Sequence, residues 1–599
     1  MRIVRYLCAA LAVLVLFVGQ IQAQSQRGIP TDGRDFYIAY VAPSIKCAAV
    51  KPFQATFAIL SSYYSCTVTM NYFDANGKEI AGHTYRLLAK NATYAPLDLS
   101  YMDPKDANGN RMNIDGEVPM YTACHIHADY PISVAYYSTG PNSGGMYCAF
   151  QTGALGKKYV VAAAPANPAQ GAANSHHFAC TIDSASSEFA VLAIKDNTQV
   201  TITPTTTTRN LHRVGVNTGE SAWGQPDGKP HPFVVTLNRG QVYWVKSALS
   251  SEEYDMSGSI VESDQPVGVI GACESMFNGT TQYAGYGGDQ RDLSCEMMVP
   301  VEYWTSDGYV AMPFMDGPGT PDNDPSTGDL YKVYTYDPTG TTISFNIDQV
   351  GARTKDVNRL QNPPVQFDNV QTGISCGSQS GQKIMVEQYD YRAMFNEPYP
   401  APSQTNIIPI DRFRTAYVWG VPDDALQVHK KRYINVIANR NQFSKIKISH
   451  DGKGAVPLTS LPAAGQTASI PGYPQLQGRR YEIQPGGYFA QGDSAFALYQ
   501  YGDLGLDPDF DLGDNDDDDY YFSYASICGQ SFGIDGAYTP SLKVDTVCNG
   551  WTVHVHDGNP LDQGIAQVEI LKDPLGILKR KPGTDSGYIS SNCSFDPPN

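Results

Sequence analysis

The residues best suited to chemistry in this sequence are the carboxylates of the run DLGLDPDFDLGDNDDDDYYF, which begins at Asp503. Ca²⁺ takes six to eight oxygen ligands, and acidic residues at alternate positions supply several of them within one turn. The run departs from the EF-hand pattern, because Leu512 stands where that pattern has glycine and an aspartate replaces its closing glutamate. The alternative is a solvated acidic loop. Calcium is the one cofactor that we expect, with these candidate ligands: Asp507, Asp509, Asp511, Asn515 and Asp518.

A second acidic stretch, MDGPGTPDNDPSTGD, is dominated by proline and glycine, which favours a surface loop. Its carboxylates form a second candidate calcium site, with a solvated loop again as the alternative. The residues concerned are Asp316, Asp322, Asp324 and Asp329.

Two histidine pairs have the spacing of metal ligands on a strand. His125 and His127 in CHIHAD are two residues apart, so they lie on one face of a strand, and His554 and His556 in VHVHD repeat this spacing. Two imidazoles so placed can share Zn²⁺, but a catalytic zinc site needs a third ligand and a base. Nothing local supplies them, so we expect ordinary strand histidines.

Cysteine usage fits an exported chain. The sequence MRIVR, followed by an apolar stretch and QIQA, is typical of a secretory signal peptide cleaved near Ala23. Twelve cysteines less Cys8 in that peptide leave eleven, and disulfides are the expected state outside the cell. One thiol is then left over, for a partner chain or as a free group. The pairs that sequence proximity suggests are Cys47–Cys66, Cys124–Cys148, Cys273–Cys295 and Cys548–Cys593.

No motif in the sequence indicates catalysis. The nucleophile elbow, the phosphate-binding loop, H-E-x-x-H and the dinucleotide fingerprint are all absent. Two carboxylates from distant strands could still converge, so an exported polysaccharide hydrolase stays open as an alternative. The better prediction is binding through tyrosine-rich loops, since tyrosine offers a large contact area at low entropic cost. The candidate loop residues are Tyr63, Tyr64, Tyr283 and Tyr286.

These residues must be positioned by β-structure. The chain has 599 residues, 39 of them tyrosine, and a formal charge of −18, which argues against nucleic acid or an anionic membrane as a partner. No later segment is apolar for long enough to span a membrane. The phrase SDQPVGVIG at residues 263–271 has counterparts in ADYPISVAY, SGQKIMVEQ and GDSAFALYQ. One element is therefore used four times.

Each copy of that phrase closes a similar unit. An aromatic strand ending in proline comes first, such as KYVVAAAP, followed by a hairpin such as FAVLAIKDNTQVTITP. We expect the proline of the closing phrase to stand at the start of a strand. The predicted organisation is a signal peptide at 1–23, β repeats at 34–139, 156–274, 306–390 and 414–540, and a partial Ig-like module or cap at 541–599. The predicted fold is all-β, a tandem array of β-sandwich units, with a propeller-like arrangement of the repeats as the alternative.

The order of these motifs resembles a known family. RDFYIAYVAP, GALGKKYVVAAAP, SEFAVLAIKDNTQVTITP, VTLNRGQVYWVKS, GSIVESDQPVGVIGACES and CEMMVPVEYW follow one another as in the N-terminal domain of the IgGFc-binding protein family. The resemblance covers roughly residues 34–540 and suggests a bacterial secreted relative. It implies a secreted or cell-surface protein for adhesion or binding, and it transfers no binding residue to a numbered position.

The sequence therefore predicts a secreted, non-catalytic protein that binds extracellular glycan, mucin or protein. The alternatives are the hydrolase and a structural spacer or fibre subunit joined through the odd cysteine. The sequence leaves open the ligand, the oligomeric state and the means of attachment to a surface.

Overall fold

The computed structural model describes most of the chain from residue 29 onward. The described residues are 29–42, 45–47, 55–108, 111–112, 116–140, 143–166, 180–182, 185–209, 231–248, 254–277, 291–314, 328–390, 403–423, 431–465, 467–503, 524–532, 541–547, 550–556, 580–581, 588–589 and 593–595. The chain divides into two compact regions, one of Pro30–Gln530 and the other of Met1–Ile29 with Ser531–Asn599.

The larger region consists of four consecutive units of β-strands, preceded by the short strand β1 (Ile29–Pro30). The strands of the first unit are β2 (Gly33–Ala39), β3 (Ile45–Cys47), β4 (Ala55–Ser62), β5 (Cys66–Phe73), β6 (Glu79–Leu87), β7 (Ala92–Pro96), β8 (Ala123–Gly140) and β9 (Ser143–Ala149). Those of the second are β10 (Gly156–Val160), β11 (Cys180–Ile182), β12 (Ser187–Ala193), β13 (Thr198–Thr203), β14 (Phe233–Leu237), β15 (Val242–Lys246), β16 (Ile260–Phe277) and β17 (Arg291–Met297).

The third and fourth units repeat this order. The third contains β18 (Tyr309–Ala311), β19 (Asp329–Thr335), β20 (Thr341–Ile347), β21 (Gly351–Val357), β22 (Val365–Val370), β23 (Ile374–Ser378), β24 (Ile384–Asp390) and β25 (Ser403–Asn406). The fourth contains β26 (Arg414–Val421), β27 (Lys431–Asn439), β28 (Lys447–His450), β29 (Val456–Pro457), β30 (Ala468–Ser469), β31 (Leu476–Glu482), β32 (Gly486–Asp503) and β33 (Tyr524–Ile527). The described helices are short: Leu99–Met102, and the 3₁₀ turns Thr152–Ala154, Val301–Tyr303, Ile410–Arg412 and Leu458–Ser460.

The third unit shows the plan most clearly, because its strands form two separate four-stranded sheets. One sheet has the order β18-β23-β20-β21 and the other has β22-β19-β24-β25, and all the pairs are antiparallel. Side chains from both sheets, such as Phe345 and Phe367 with stacked rings 4.1 Å apart, form one buried core between them. Two sheets enclosing one core make a β-sandwich.

In the other three units the two sheets share one long strand. β8, β16 and β32 are each 18 residues long. The first half of β8 pairs with β5 as far as Ala128, and its second half pairs with β4 from Ile132 onward. Each long strand therefore passes from one sheet of its sandwich to the other. In the third unit the same path is divided between β23 and β24.

The recurring closing phrase marks this change of sheet. Pro131 and Pro266 lie inside β8 and β16, so the expectation that the proline starts a strand is wrong. Each long strand pairs with the two strands of its hairpin, and neither pairing includes the proline. Proline is tolerated at this position because no backbone N–H is needed there for a hydrogen bond. The aspartate two residues earlier, Asp129 or Asp264, accepts a hydrogen bond from the backbone N–H of Thr67 (2.8 Å) or Gln199 (2.9 Å).

A tyrosine in the first strand fixes the same bend in three units. The hydroxyl of Tyr159 accepts a hydrogen bond from the Gly156 N–H (2.7 Å) and donates to the Val267 carbonyl just past the bend (2.6 Å). Tyr309 and Tyr417 bond the backbone in the same way. In the first unit the corresponding residue is Phe36, which has no hydroxyl.

The four units close into a ring. The last strand of each unit contacts that of the next, β9 with β17, β17 with β25 and β25 with β33, and β33 contacts β9 in turn. The Gly144 N–H donates to Asp292 across the first of these contacts (2.6 Å), and the rings of Tyr137 and Tyr524 meet edge to face where the fourth unit returns to the first. The predicted all-β fold of four β-sandwich repeats is confirmed, and the units are placed radially, as in the propeller-like alternative.

The smaller region contains β34 (Ser531–Phe532), β35 (Ser541–Val547), β36 (Gly550–His556), β37 (Arg580–Lys581), β38 (Tyr588–Ile589) and β39 (Cys593–Phe595). β35 and β36 are antiparallel, and β39 pairs with β36 in parallel. His554 and His556 lie on β36, where the placement of their side chains is outside what the structure describes.

Candidate functional site

A group of titratable side chains lies on one face of the first unit, where β2, β8 and β5 run side by side. His125 stands opposite Tyr37 on β2 and opposite Asn71 on β5. His127, two residues along β8, stands opposite Asp35. Alternation along a strand puts these side chains on the same face, as the sequence predicted for the two histidines.

His125 is hydrogen-bonded to a carboxylate at each ring nitrogen. Its Nε2 lies 2.7 Å from Asp35 Oδ1, and its Nδ1 lies 2.6 Å from Glu79 Oε1. The Tyr37 ring stacks on the imidazole with centroids 4.4 Å apart. Two carboxylates face the ring, so the arrangement favours the imidazolium, in which both nitrogens act as donors. The side chain is 13% exposed, so the charge is largely withdrawn from water.

Glu79 extends this group to the second unit. Its Oε1 also accepts a hydrogen bond from Asn71 Nδ2 (2.8 Å), and its Oε2 accepts one from Arg239, in the turn between β14 and β15. His127 is 59% exposed, and its Nδ1 lies 3.5 Å from Asp35 Oδ1. The histidine cluster, meaning Asp35, Glu79, His125, His127 and Arg239, therefore links the first two units.

In the cluster, hydrogen bonds and charges shift the pKa values of His125, Asp35 and Glu79 in the direction opposite to the effect of burial. Burial lowers the pKa of His125, but the hydrogen bonds and charges of Asp35 and Glu79 outweigh that effect and raise it above its ordinary value. Burial raises the pKa of Asp35 and of Glu79, but hydrogen bonds and charges, with His125 the main partner, outweigh this effect and lower both pKa values below their ordinary range. The folded chain therefore favours the fully ionised cluster.

This arrangement suits an ion cluster better than a catalytic site. A histidine that acts as a general base needs one free nitrogen facing a nucleophile or water, and both nitrogens of His125 are bonded to carboxylates. Both nitrogens of His125 are engaged by carboxylates, which leaves neither directed at a position that His127 could share with it. Within the described part of the chain, no group of three or more His, Cys, Asp or Glu side chains is placed to hold a metal ion.

The second candidate surface is an aromatic cluster at the boundary between the first and fourth units. Tyr63 and Tyr64 form the turn between β4 and β5, and the Tyr64 ring lies 5.6 Å from that of Tyr130 at the bend of β8. Tyr63 meets Phe489 of the fourth unit edge to face at 5.2 Å, and the Lys90 ammonium lies over Phe489 at 4.4 Å. Both turn tyrosines and Tyr130 are half-buried. Two of the four predicted loop tyrosines thus belong to a larger aromatic surface.

Several other predicted residues lie outside the described residues. These are the acidic-run candidates Asp507, Asp509, Asp511, Asn515 and Asp518, the loop tyrosines Tyr283 and Tyr286, and Asp316, Asp322 and Asp324 of the second acidic stretch. Asp329 is described, and it starts β19 as a buried residue that accepts a hydrogen bond from the Phe314 N–H (2.7 Å). Asp329 is therefore a structural residue rather than a loop ligand.

Three of the four predicted cysteine pairs are not formed in the described part of the structure. Cys124 stands opposite Ile38 in one sheet of the first sandwich, whereas Cys148 stands opposite Ala135 in the other. Cys295 stands opposite Ala272, the neighbour of Cys273, so the two thiols point to opposite faces. Cys66 is unbonded, so it does not pair with Cys47, and the pair Cys548–Cys593 lies outside the described side chains. Seven cysteines with described side chains are buried free thiols: Cys66, Cys124, Cys148, Cys273, Cys295, Cys376 and Cys528.

Sequence reasoning missed the partners of His125. Asp35 and Glu79 lie 90 and 46 residues from it in sequence, and Arg239 belongs to another unit. Asp35 could in principle have been found from the sequence. RDFYIAY and CHIHAD both have the pattern of a strand, and Asp35 and the two histidines are the polar residues within otherwise apolar stretches. Nothing in the sequence around Glu79 or Arg239 indicated that either residue belongs to the same cluster as His125.

Comparison with known proteins identifies the family. A family model described as IgGFc binding protein matches residues 145–502, which is more than half of the chain. The chain belongs to the IgGFc-binding protein family. The matched residues run from β9 to the end of β32, so most of the first unit precedes them. No curated protein matches the chain significantly.

The family places the chain among extracellular binding proteins. Within the described residues, no helix is long and apolar enough to cross a membrane.

Proposed function

We propose that this chain is a secreted or cell-surface, non-catalytic adhesion protein whose ligand is an extracellular glycan, mucin or protein. The observation that carries the proposal is the family match over residues 145–502. The signal-peptide pattern at residues 1–23 supports export. The family's description makes the Fc part of IgG the first protein ligand to test.

The aromatic cluster is the proposed contact surface. Tyr64 and Tyr130 present half-buried rings that meet each other, and Tyr63 beside them packs against Phe489 of the fourth unit, whose ring lies under the Lys90 ammonium. Rings held by packing lose little freedom on binding, and a tyrosine edge offers both apolar area and a hydroxyl. Such a surface can stack against a sugar ring or cover an apolar patch on a protein.

The histidine cluster supports a non-catalytic reading. A glycosidase needs its two carboxylates on either side of the scissile bond, with space for substrate and water between them. The imidazole of His125 fills the space between Asp35 and Glu79 and bonds to both. This pair of carboxylates is therefore unsuited to glycoside hydrolysis.

The test is an array of glycans, mucins and extracellular proteins, with IgG Fc among them, probed with the chain lacking residues 1–23. Each probe is run with Ca²⁺ and again with a chelator. We expect reproducible binding to at least one class of ligand, and no turnover in parallel assays on polysaccharides. Binding lost on chelation makes the acidic run a ligand-binding element, whereas binding unaffected by chelation assigns it to a solvated loop. The proposal would be overturned by an absence of binding to every ligand on the array, or by turnover of a polysaccharide.

A further inference from the structure

A buried lysine and a buried aspartate from neighbouring units meet at the boundary between the second and third units. Lys332 lies on β19 of the third unit, and Asp255 lies just before β16 of the second. Lys332 Nζ is 3.0 Å from Asp255 Oδ2, and the two side chains are 3% and 4% exposed. Reacting atoms need to approach to about 3–3.5 Å, and the carboxyl carbon is one bond beyond the oxygen that Nζ already contacts. The two groups are therefore placed as the components of an amide bond.

Further contacts hold the Lys332 nitrogen beside the carboxyl group. Nζ also donates to the Ala163 carbonyl (3.0 Å) and to the Ser257 hydroxyl (3.4 Å). The centroid of the Tyr389 ring lies 4.8 Å from Nζ, and the Tyr389 hydroxyl donates to the same Ala163 carbonyl (2.8 Å). A nitrogen positioned in this way has little freedom left to lose before it reacts.

The other oxygen of Asp255 is bound by hydrogen-bond donors. Asp255 Oδ1 accepts a hydrogen bond from the Ser257 backbone N–H (2.9 Å) and one from the Ser187 hydroxyl (3.5 Å). Negative charge develops on this oxygen when a nucleophile adds to the carboxyl carbon, and donors already in place stabilise that charge. The Ser257 N–H therefore has the position of an oxyanion-stabilising donor.

A second buried carboxyl group stands beside the lysine. Glu387 on β24 is directly opposite Lys332 in the antiparallel β19–β24 pair, which places their Cβ atoms about 4.5–5.5 Å apart. Among the described residues, no hydrogen-bond donor reaches either oxygen of Glu387. Burial raises the pKa of this carboxyl group well above its ordinary value, so its protonated form is accessible near neutral pH. Glu387 is therefore suited to carry a proton.

We propose that Lys332 and Asp255 form an amide bond that joins the second and third units covalently. The ammonium first passes a proton to Oδ2, because burial disfavours the charged form of both groups. Nζ of the neutral amine then forms a bond to the carboxyl carbon of Asp255. The electron pair of the carbon–oxygen double bond moves to Oδ1, where the Ser257 N–H stabilises it.

Loss of water completes the bond. Nζ gives a proton to Glu387, and Glu387 gives one to Oδ2, so Glu387 ends in the state in which it began. The bond from carbon to Oδ2 breaks with its electron pair, and Oδ2 leaves as water. The pair on Oδ1 restores the double bond, and the one remaining N–H of the amide keeps the Ala163 carbonyl as its acceptor. One ammonium and one carboxylate thus become one amide and one water.

Two other buried ion pairs lack this combination. Arg414 lies 2.6 Å from Asp32, but a guanidinium stays protonated and does not act as a nucleophile. Lys246 contacts both Glu188 and Glu274, and two carboxylates hold a lysine in its ammonium form. Lys332 contacts one carboxylate, so the loss of its proton is opposed less strongly.

The test is the intact mass of the full chain, reduced and denatured, followed by peptide mapping. We expect the mass to be lower by one water than that of the processed sequence. One peptide should contain the segments around Lys332 and Asp255 joined together, while Lys246 is recovered unmodified in the same digest. A chain that has not reacted keeps the two groups as an ion pair, so replacing Lys332 costs at least the stability of that pair.

Two variants separate the amide from the ion pair. Lys332→Arg keeps the positive charge beside Asp255 but forms no amide, so its mass should equal that of its sequence. Glu387→Gln keeps both reacting groups and removes the proton carrier, which should slow formation of the joined peptide by about 100-fold or more. Joining in Glu387→Gln at the wild-type rate would overturn the role of Glu387.

The wild-type mass decides the proposal even where a variant fails to fold. A wild-type mass equal to that of the processed sequence overturns it. So does a loss of water that maps to a single segment, because an aspartate that cyclises on its own backbone also loses water. A loss that persists in Lys332→Arg likewise contradicts the assignment.

Discussion

The first and second units share one strand plan and differ at corresponding places. In the turn between the hairpin strands the first has Tyr63 and Tyr64, and the second has Asp196 and Asn197. At the bend of the long strand the first has Tyr130, and the second has Gln265. The second unit thus has the polar turn residues that a hairpin needs, and the first has aromatic residues that the strand plan does not require.

The faces that meet the next unit differ in the same way. On the first unit Asp35 stands opposite His127, and on the second Lys158 stands opposite Glu262. In both cases an arginine that follows a strand of the next unit, β14 or β21, approaches the acidic group: Arg239 bonds to Glu79, and Arg359 lies 3.8 Å from Glu262. The contact is repeated, but the titratable histidine belongs to the first unit. A histidine responds to pH near neutrality, whereas lysine and arginine stay charged.

The largest expected effect concerns the buried ion pair that joins the second and third units. Lys332→Met removes the ammonium that lies 3.0 Å from Asp255 and leaves that carboxylate buried without its counter-charge. The free energy of unfolding should fall by about 3–5 kcal/mol, measured by urea denaturation. Arg239→Ala, at the more exposed contact of the first unit, should cost at most about 1 kcal/mol. If Lys332→Met and Arg239→Ala lower the free energy of unfolding equally, the boundary between the second and third units is no more dependent on its ion pair than the boundary between the first and second.

The tyrosine of the bend gives the next effect. Tyr159→Phe removes a buried hydroxyl and leaves the Gly156 N–H and the Val267 carbonyl without their partner, which should cost about 1–3 kcal/mol in urea denaturation. Tyr309→Phe in the third unit should give a loss of similar size. If Tyr159→Phe leaves the free energy of unfolding unchanged, the second unit does not need the hydroxyl, just as the first unit does without it at Phe36.

The histidine cluster should make stability depend on pH at the first boundary. The pKa of His125 is raised from 6.5, so its contribution is complete below pH 6.5 and is lost as pH rises through the folded-state value. The pKa values of Asp35 and Glu79 are lowered from 3.8 and 4.5, so their contribution is present above those values and lost at lower pH. The cluster is therefore most stabilising between pH 4.5 and pH 6.5.

The variant that tests this dependence is His125→Gln, compared at about pH 5.5 and about pH 9. At the lower pH it should reduce the free energy of unfolding by about 1 kcal/mol, and at the higher pH by less, because the imidazole loses its charge as the pH rises through its folded-state pKa. Arg359→Ala is the matched control, since the Arg359–Glu262 contact contains no histidine. A cost of His125→Gln that does not change with pH would contradict the ionised cluster.

The order of strands in the four repeats could be predicted from the sequence because it follows from local residue patterns. The closing phrase, the hairpins and the aromatic first strand each depend on residues close together in the chain. The position of Pro131 was misjudged because the sequence does not show that one strand continues through two sheets. His125 was identified, but Asp35 and Glu79 were not joined to it, since strand register decides which distant residues meet. The predicted pairs Cys124–Cys148 and Cys273–Cys295 were wrong for the same reason: proximity in sequence does not fix which sheet or which face of a strand a thiol occupies.

The most direct test of the binding proposal compares three chains on the same array of glycans, mucins and proteins. They are the wild type, the double variant Tyr64→Ser/Tyr130→Ser, and Tyr85→Ser as a matched control, since Tyr85 is a half-buried tyrosine on β6 of the same unit. The account predicts that the wild type and the control bind alike, and that the double variant loses about tenfold or more of its affinity. Binding by the double variant equal to that of the wild type would contradict the assignment of the aromatic cluster as the contact surface.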